Sequence, residues 1–330
     1  MHVIQFIRHE NPQAFSIERV FNSVRACIPG DIIVTAHYCR FPSRGVWRRI
    51  ADAVIAYKHQ GDVNHVTGDV HYLTYLLSRR KSILTIHDCE MLSRSTGMKH
   101  WLLWYFWFWL PEKRCRIIVA ISEETKKQII RYLRCSPEKI VVIHDPLSDI
   151  FSPVPRQFDR VRPRLLQIGT KENKNISRLV EAISGLEVVL VIVGKLTEGI
   201  SKLLESECII YENHVGITDQ ELVDLYVHSD LLTFVSTSEG FGLPIIEAQA
   251  IGRAVVTSNL SSMPEVAGMG ACLVDPFDVK SIRDGIVRMI EDCKYREDVI
   301  NMGFSNVERY RAKNIATEYA DLYRSVMLGR

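Results

Sequence analysis

Six short apolar runs rich in β-branched residues punctuate the first half of the chain: VIQFI (3–7), DIIVTAH (31–37), VNHVTG (63–68), SILTIHD (82–88), RIIVAIS (116–122) and KIVVIHD (139–145). Stretches with helical spacing lie between them, and that alternation predicts a parallel sheet covered by helices on both faces. After DPLSDIFSPVPRQFDRVRP (145–163), which has four prolines and little periodicity, the pattern restarts with RLLQIG, VVLVIVG, CIIYEN, LLTFVS, AVVTSN and ACLVD. The proline-rich stretch reads as a linker. The fold class expected is α/β, with two Rossmann-like, doubly wound domains over residues 1–150 and 151–309 facing a central cleft, and ligands beyond the carboxyl ends of the strands. The last stretch, from 294 on, reads as helix throughout, with Tyr310, Ile315, Tyr319, Leu322 and Tyr323 as an apolar stripe suited to closing the second core.

One segment breaks the pattern. KHWLLWYFWFWLPEKR (99–114) holds four of the five tryptophans, Trp101, Trp104, Trp107 and Trp109, with Lys99, His100, Lys113, Arg114 and Arg116 around them. Its apolar core is short of the roughly 17–25 residues that span a bilayer, yet rings flanked by cations suit a membrane interface. Burial between helices is the other reading. Composition adds a supporting asymmetry: residues 1–150 carry 21 Lys+Arg against 14 Asp+Glu, and residues 151–330 carry 20 against 25. Two halves of opposite charge point to two domains with different partners. The eight cysteines are scattered with no CxxC pair, which predicts reduced core thiols and neither disulfides nor zinc ligands. The first residues, MHVIQFIRHE, read as a first strand and not as a signal peptide, so the expected location is the cytoplasm.

The chemistry concentrates in STSEGFGLPIIEAQAIGRAVV (236–256). Glu239 falls in a loop at the carboxyl end of a strand; Gly240 and Gly242 let a ligand approach the backbone, and Pro244 suits a first helical turn whose free N–H groups favour an anion. Glu247 follows about one turn into a helix of small and apolar residues. A lone acid there is explained by the helix dipole, but two acids, the glycines and the turn together favour recognition of a phosphorylated polyol.

EGFGLPIIEA (239–248) resembles the E-x7-E signature of retaining glycosyltransferases of the GT-B fold, in the large group 1 family also called GT4. The similarity extends to TIHD, VAISEETKKQI, IGTKENKNISRLVEAI, VIVG, DQELVDLY and SSMPEVAG. It implies that Glu239 contacts hydroxyls of a donor sugar, that Glu247 holds the ribose, and that the backbone of Phe241, Gly242 and Leu243 approaches the sugar and diphosphate. It also implies that the last helix, 310–330, packs back toward the first domain. The family's arginine and lysine after the first strand of the second domain find Lys171 and Lys174 here, with Thr170 or Lys171 nearest the arginine's place. Lys174 is the better match, since a lysine at 171 lacks the bidentate fork of arginine. His87 matches the family's histidine at the sugar, so His87 and Glu239 are the candidate catalytic residues. The family's glycine-rich loop after the first strand is missing, which leaves Arg8, His9, Glu10, Asn11 and Ser16, with Gly68, Asp69 and His71 after another strand, as candidate acceptor contacts.

The resemblance implies transfer of a hexosyl unit from a UDP- or GDP-sugar to a saccharide, with no metal and no cofactor beyond the donor and no nucleic-acid partner. The basic first half and the tryptophan segment extend this to a lipid-linked saccharide at the inner membrane surface, as in bacterial surface polysaccharide or O-antigen assembly, with peripheral membrane contact. A nucleotide-sugar epimerase of the same fold and a non-catalytic nucleotide-sugar-binding protein are the alternatives. A dinucleotide-dependent oxidoreductase fits poorly, because Ile245 stands where GxGxxG needs its third glycine.

Overall fold

The computed structural model describes residues 1–9 and 16–329. All twelve apolar runs form strands: β1 (His2–Ile7), β2 (Ile33–Tyr38), β3 (Val63–Val66), β4 (Ser82–Ile86), β5 (Ile117–Ala120) and β6 (Ile140–Val142) in the first half, then β7 (Arg164–Ile168), β8 (Val189–Val193), β9 (Ile210–His214), β10 (Leu231–Phe234), β11 (Ala254–Ser258) and β12 (Cys272–Val274). They build two six-stranded sheets, ordered β2-β1-β3-β4-β5-β6 and β12-β11-β10-β7-β8-β9. Every pairing is parallel. Strands β3, β4, β10 and β11 are buried along their whole length, as a sheet covered on both faces requires.

The chain separates into two compact units, Met1–Pro146 with Arg311–Arg330, and Leu147–Tyr310. Leu147 stands with the second unit because its N–H bonds the carbonyl of Tyr310 at 2.8 Å. The proline-rich stretch that follows has no regular secondary structure but is pinned to the second unit. Arg156 forks onto the buried carboxylate of Asp230 (2.8 and 3.2 Å), and the Arg253 guanidinium donates to the carbonyl of Val154.

The C-terminal helicity is broken. A helix over Cys293–Val307 and a 3-10 turn over Glu308–Tyr310 belong to the second unit; a new helix, Ala312–Leu328, belongs to the first. The stripe of five residues is therefore split. Tyr310 packs edge-on against Phe241 at 5.5 Å, while Ile315, Tyr319, Leu322 and Tyr323 enter the core of the first unit. There the Tyr323 hydroxyl meets Gln5 Nε2 at 3.0 Å and His65 Nδ1 at 2.8 Å, and His65 Nε2 meets Thr85 Oγ1 at 2.8 Å. Burial pushes the pKa of His65 down to about 3.

The tryptophan segment is a helix (Gly97–Leu103), a π-helical turn (Trp104–Trp109) and a further short helix (Leu110–Arg114). Most of it is packed. Phe108 is in the core, Trp104, Trp107 and Trp109 lie against that core, and Trp104 Nε1 donates to the Tyr132 carbonyl at 2.8 Å. Burial between elements thus accounts for the apolar character of these residues, and of the segment's large apolar side chains Met98, Trp101, Leu102 and Phe106 are exposed. Among the described residues no helix is long and apolar enough to cross a membrane. All eight cysteines are free thiols, five of them buried.

Candidate functional site

In the second sheet the chain leaves β7 toward β8 and β9, then returns to the opposite side of β7 as β10. The loops after β7 and β10 consequently diverge at the point where strand order reverses, the place where open α/β sheets bind ligands. Both loops carry the sequence-predicted residues, and they are tied together: Thr237 N–H donates to the Asn173 carbonyl at 2.8 Å, and Asn173 Nδ2 donates to the Ser238 carbonyl at 2.8 Å.

Lys174 reaches across this junction. Its Nζ lies 2.7 Å from Glu239 Oε1, with both side chains only 15% exposed, and 4.4 Å from the centre of the Phe234 ring. The lysine stem lies over Gly169, where a Cβ would stand 2.8 Å from Lys174 Cε and where φ is +86°, so this turn suits glycine alone. Glu239 is fixed from the other side by its backbone, since its carbonyl accepts from Ser261 Oγ (2.7 Å) and Ser262 Oγ (3.0 Å). Lys171 is exposed and its ammonium is not part of the pair. Thr170 is turned away, its hydroxyl donating to the Lys195 carbonyl at 2.8 Å. Neither position supplies the missing arginine fork.

The helix Leu243–Ile251 begins directly after the loop, with Gly242 as its N-cap at φ +120° and proline in its first turn. From Ile245 to Ile251 it is buried, which explains why a surface amphipathic pattern was absent. Glu247 is 7% exposed and its Oε2 accepts from the Tyr226 hydroxyl at 2.8 Å. The Phe241 ring is buried against Tyr310, so it offers a ligand its backbone and not its ring. A cation, two carboxylates and a helix N-terminus at one strand-order reversal can hold a polyol together with an anion. Asn173, Tyr226, Ser261 and Ser262 were not singled out from sequence, although all four lie in the stretches IGTKENKNISRLVEAI, DQELVDLY and SSMPEVAG that carry the family resemblance.

In the first unit the remaining candidates gather at the carboxyl ends of the adjacent strands β1, β3 and β4. His87 Nε2 bonds the Thr67 carbonyl at 2.8 Å. Gly68 has φ +129°, and a Cβ on it would stand 2.5 Å from His87 Cδ2, so the glycine makes room for the imidazole. Asp69, itself at φ +53°, accepts from Arg8 at 2.6 Å, while Arg8 forks onto Glu18 at 2.7 and 3.0 Å. His9 Nδ1 is 3.3 Å from the Cys39 carbonyl. His71 is different: it is 4% exposed, bonds the Trp107 carbonyl at 2.7 Å, and burial lowers its pKa. It is a packing residue, not a surface open to an acceptor. Glu10, Asn11 and the side chain of Ser16 lie outside the described residues. Asp145, missed from sequence, is a buried carboxyl whose pKa burial raises against the opposing influence of His87 and His144.

Two family descriptions match the chain, "Glycosyl transferases group 1" over residues 157–305 and "Glycosyltransferase Family 4" over residues 6–148. The chain is 27% identical to the O-antigen chain mannosyltransferase B of Escherichia coli over 320 residues, covering 89% of this chain and 80% of that protein. It is 26% identical to the MMP alpha-(1->4)-mannosyltransferase of Mycolicibacterium hassiacum, covering 97% and 84%. Among solved structures, Anabaena HepE in complex with UDP-glucose superposes with a TM-score of 0.79 at 15% identity, over 98% of this chain and all of that one.

Proposed function

This chain belongs to the group 1 glycosyltransferases and has the GT-B fold, and on that premise we propose that it moves a hexosyl unit, with retention of anomeric configuration, from a UDP- or GDP-sugar to a saccharide acceptor. The observation that carries this reading is the Lys174–Glu239 pair beside the Gly242 helix start at the strand-order reversal. Breaking the bond between the anomeric carbon and the diphosphate oxygen leaves negative charge on the leaving group. Lys174 and the N–H groups of Phe241, Gly242 and Leu243 are the donors proposed to stabilise it, with Lys171 as a secondary cation. Glu239 is assigned to the sugar hydroxyls and Glu247 to the ribose, the Tyr226 bond fixing the Glu247 rotamer. His87, positioned by Gly68 and Thr67, is assigned to the transferring sugar, and Arg8, His9 and Asp69 to the acceptor. With lysine and helix N–H groups in this role, transfer is proposed to be independent of a metal ion.

The names of the E. coli and M. hassiacum relatives favour mannose as the hexose and polysaccharide assembly, including O-antigen, as the setting. A lipid-linked saccharide is the acceptor proposed. The test is donor consumption by the purified protein with UDP- and GDP-hexoses, with and without an extract of lipid-linked saccharides. The proposal expects glycosylated product that depends on acceptor. An epimerised donor formed without acceptor would select the epimerase, and binding without turnover would select a sensor.

A further inference from the structure

We propose that the solvent face of the helix Val46–Lys58 docks on an anionic lipid surface. Val46, Trp47, Ile50, Val54 and Tyr57 fall within one stripe of this helix, and all five are exposed, Trp47 to 82%. The residues this helix buries are the small or polar Ala53, Ala56 and Asp52. Helices of globular domains turn their large apolar residues inward; this one shows them to solvent, and exposed apolar faces of this kind mark interaction surfaces.

The charges around the stripe select the partner. Residues 40–58 carry Arg40, Arg44, Arg48, Arg49 and Lys58. The one acid in the same stretch, Asp52, is 3% exposed and accepts from the Arg40 N–H, so it does not offset them at the surface. The stripe also has a neighbour: the Arg49 guanidinium lies 4.8 Å from the Trp107 ring centre, in the segment whose Trp101, Leu102 and Phe106 are exposed. Aliphatic residues beside a tryptophan, rimmed by arginines, match the boundary between acyl chains and anionic headgroups. A second copy meeting this face would bring like charges together; Trp47 and Tyr57 have ring faces on which a sugar can stack, but the aliphatic Val46, Ile50 and Val54 that share their stripe hydrogen-bond no hydroxyl and suit acyl chains.

The inference deepens the proposed function by supplying the carrier of its acceptor, but its test needs no turnover. The full chain is sedimented with phosphatidylcholine vesicles with and without phosphatidylglycerol, and folding of every variant is checked by thermal melting. Binding should require phosphatidylglycerol and weaken as salt rises. Both Trp47→Ser/Ile50→Ser and Arg44→Glu/Arg48→Glu should reduce partitioning by about tenfold or more. Absence of binding to anionic vesicles, or binding that survives both pairs of substitutions, would overturn the proposal. So would a dimer in light scattering that Trp47→Ser dissociates in a protein that ignores vesicles. If vesicle binding is as expected while no donor is consumed, the surface stands and the transferase reading fails.

Discussion

Removing the charge of Lys174 alone should destabilise the second unit more than removing it together with its partner. At 2.7 Å, with an effective dielectric constant of about 20, the gross attraction between Lys174 and Glu239 is about 6 kcal/mol. Desolvation of two side chains that are each 15% exposed offsets much of this, and the coupling left between neighbours of this kind is about 1–3 kcal/mol. Lys174→Met keeps the stem over Gly169 but leaves Glu239 facing an apolar side chain, so most of the coupling should appear as lost stability. Lys174→Met/Glu239→Gln removes both charges and should recover a large part of it. Transfer should not recover, because both groups are assigned to the donor. The assay is a double-mutant cycle in urea on the four proteins, run beside donor consumption. Additive single effects, with coupling under about 0.5 kcal/mol, would show that the pair does not form in solution. Full transfer by Lys174→Met would refute its role at the diphosphate.

Three further outcomes follow from particular contacts. Gly68→Ala should cost about 1–3 kcal/mol, since it puts a side chain at φ +129° and into the His87 ring; transfer should fall at least tenfold, and undiminished transfer would remove His87 from the site. His65 is held near 3 when folded, from an ordinary value of 6.5, so the unfolded chain binds its proton first as pH falls. Its contribution is complete above pH 6.5 and is lost toward pH 3, about 2 kcal/mol by pH 5 relative to pH 7. Urea denaturation at the two pH values checks this: His65→Gln should lose less stability over that interval than the native chain, and an equal loss would contradict the shift. Chelation with EDTA should leave transfer unchanged, and activity restored only by a divalent ion would refute the metal-independent proposal.

The twelve strands were legible because each sits in a short run rich in apolar and β-branched residues between helical stretches, and β3, β4, β10 and β11 are buried along their whole length. Glu239 and Glu247 were legible because glycines, a proline and two acids concentrate in one short stretch. What pairs with them was not: Asn173 and Lys174 meet the loop at Ser238–Glu239 across 65 residues of chain, and such pairing follows from strand order, which local pattern does not encode. The packing of the tryptophan segment was not legible for a related reason. Its partners are distant in sequence: the Tyr132 carbonyl accepts from Trp104, and His71 and Arg49 both lie against the Trp107 ring. The helix Val46–Lys58 went unnoticed since an amphipathic stripe does not state which side faces the core. Tyr310 matched the spacing of the last helix, yet the chain breaks at Arg311 and leaves it in the other unit.

The central claim is that a nucleoside diphosphate binds at the reversal of the second sheet, with Glu247 on its ribose. Calorimetric titration of UDP and GDP into the native protein, Glu247→Ala and Glu239→Ala tests it. At least one nucleotide should bind the native chain and Glu239→Ala alike, and bind Glu247→Ala more weakly by about tenfold or more. Binding that survives in Glu247→Ala but is lost in Glu239→Ala, or no binding of either nucleotide to the native chain, would contradict the account.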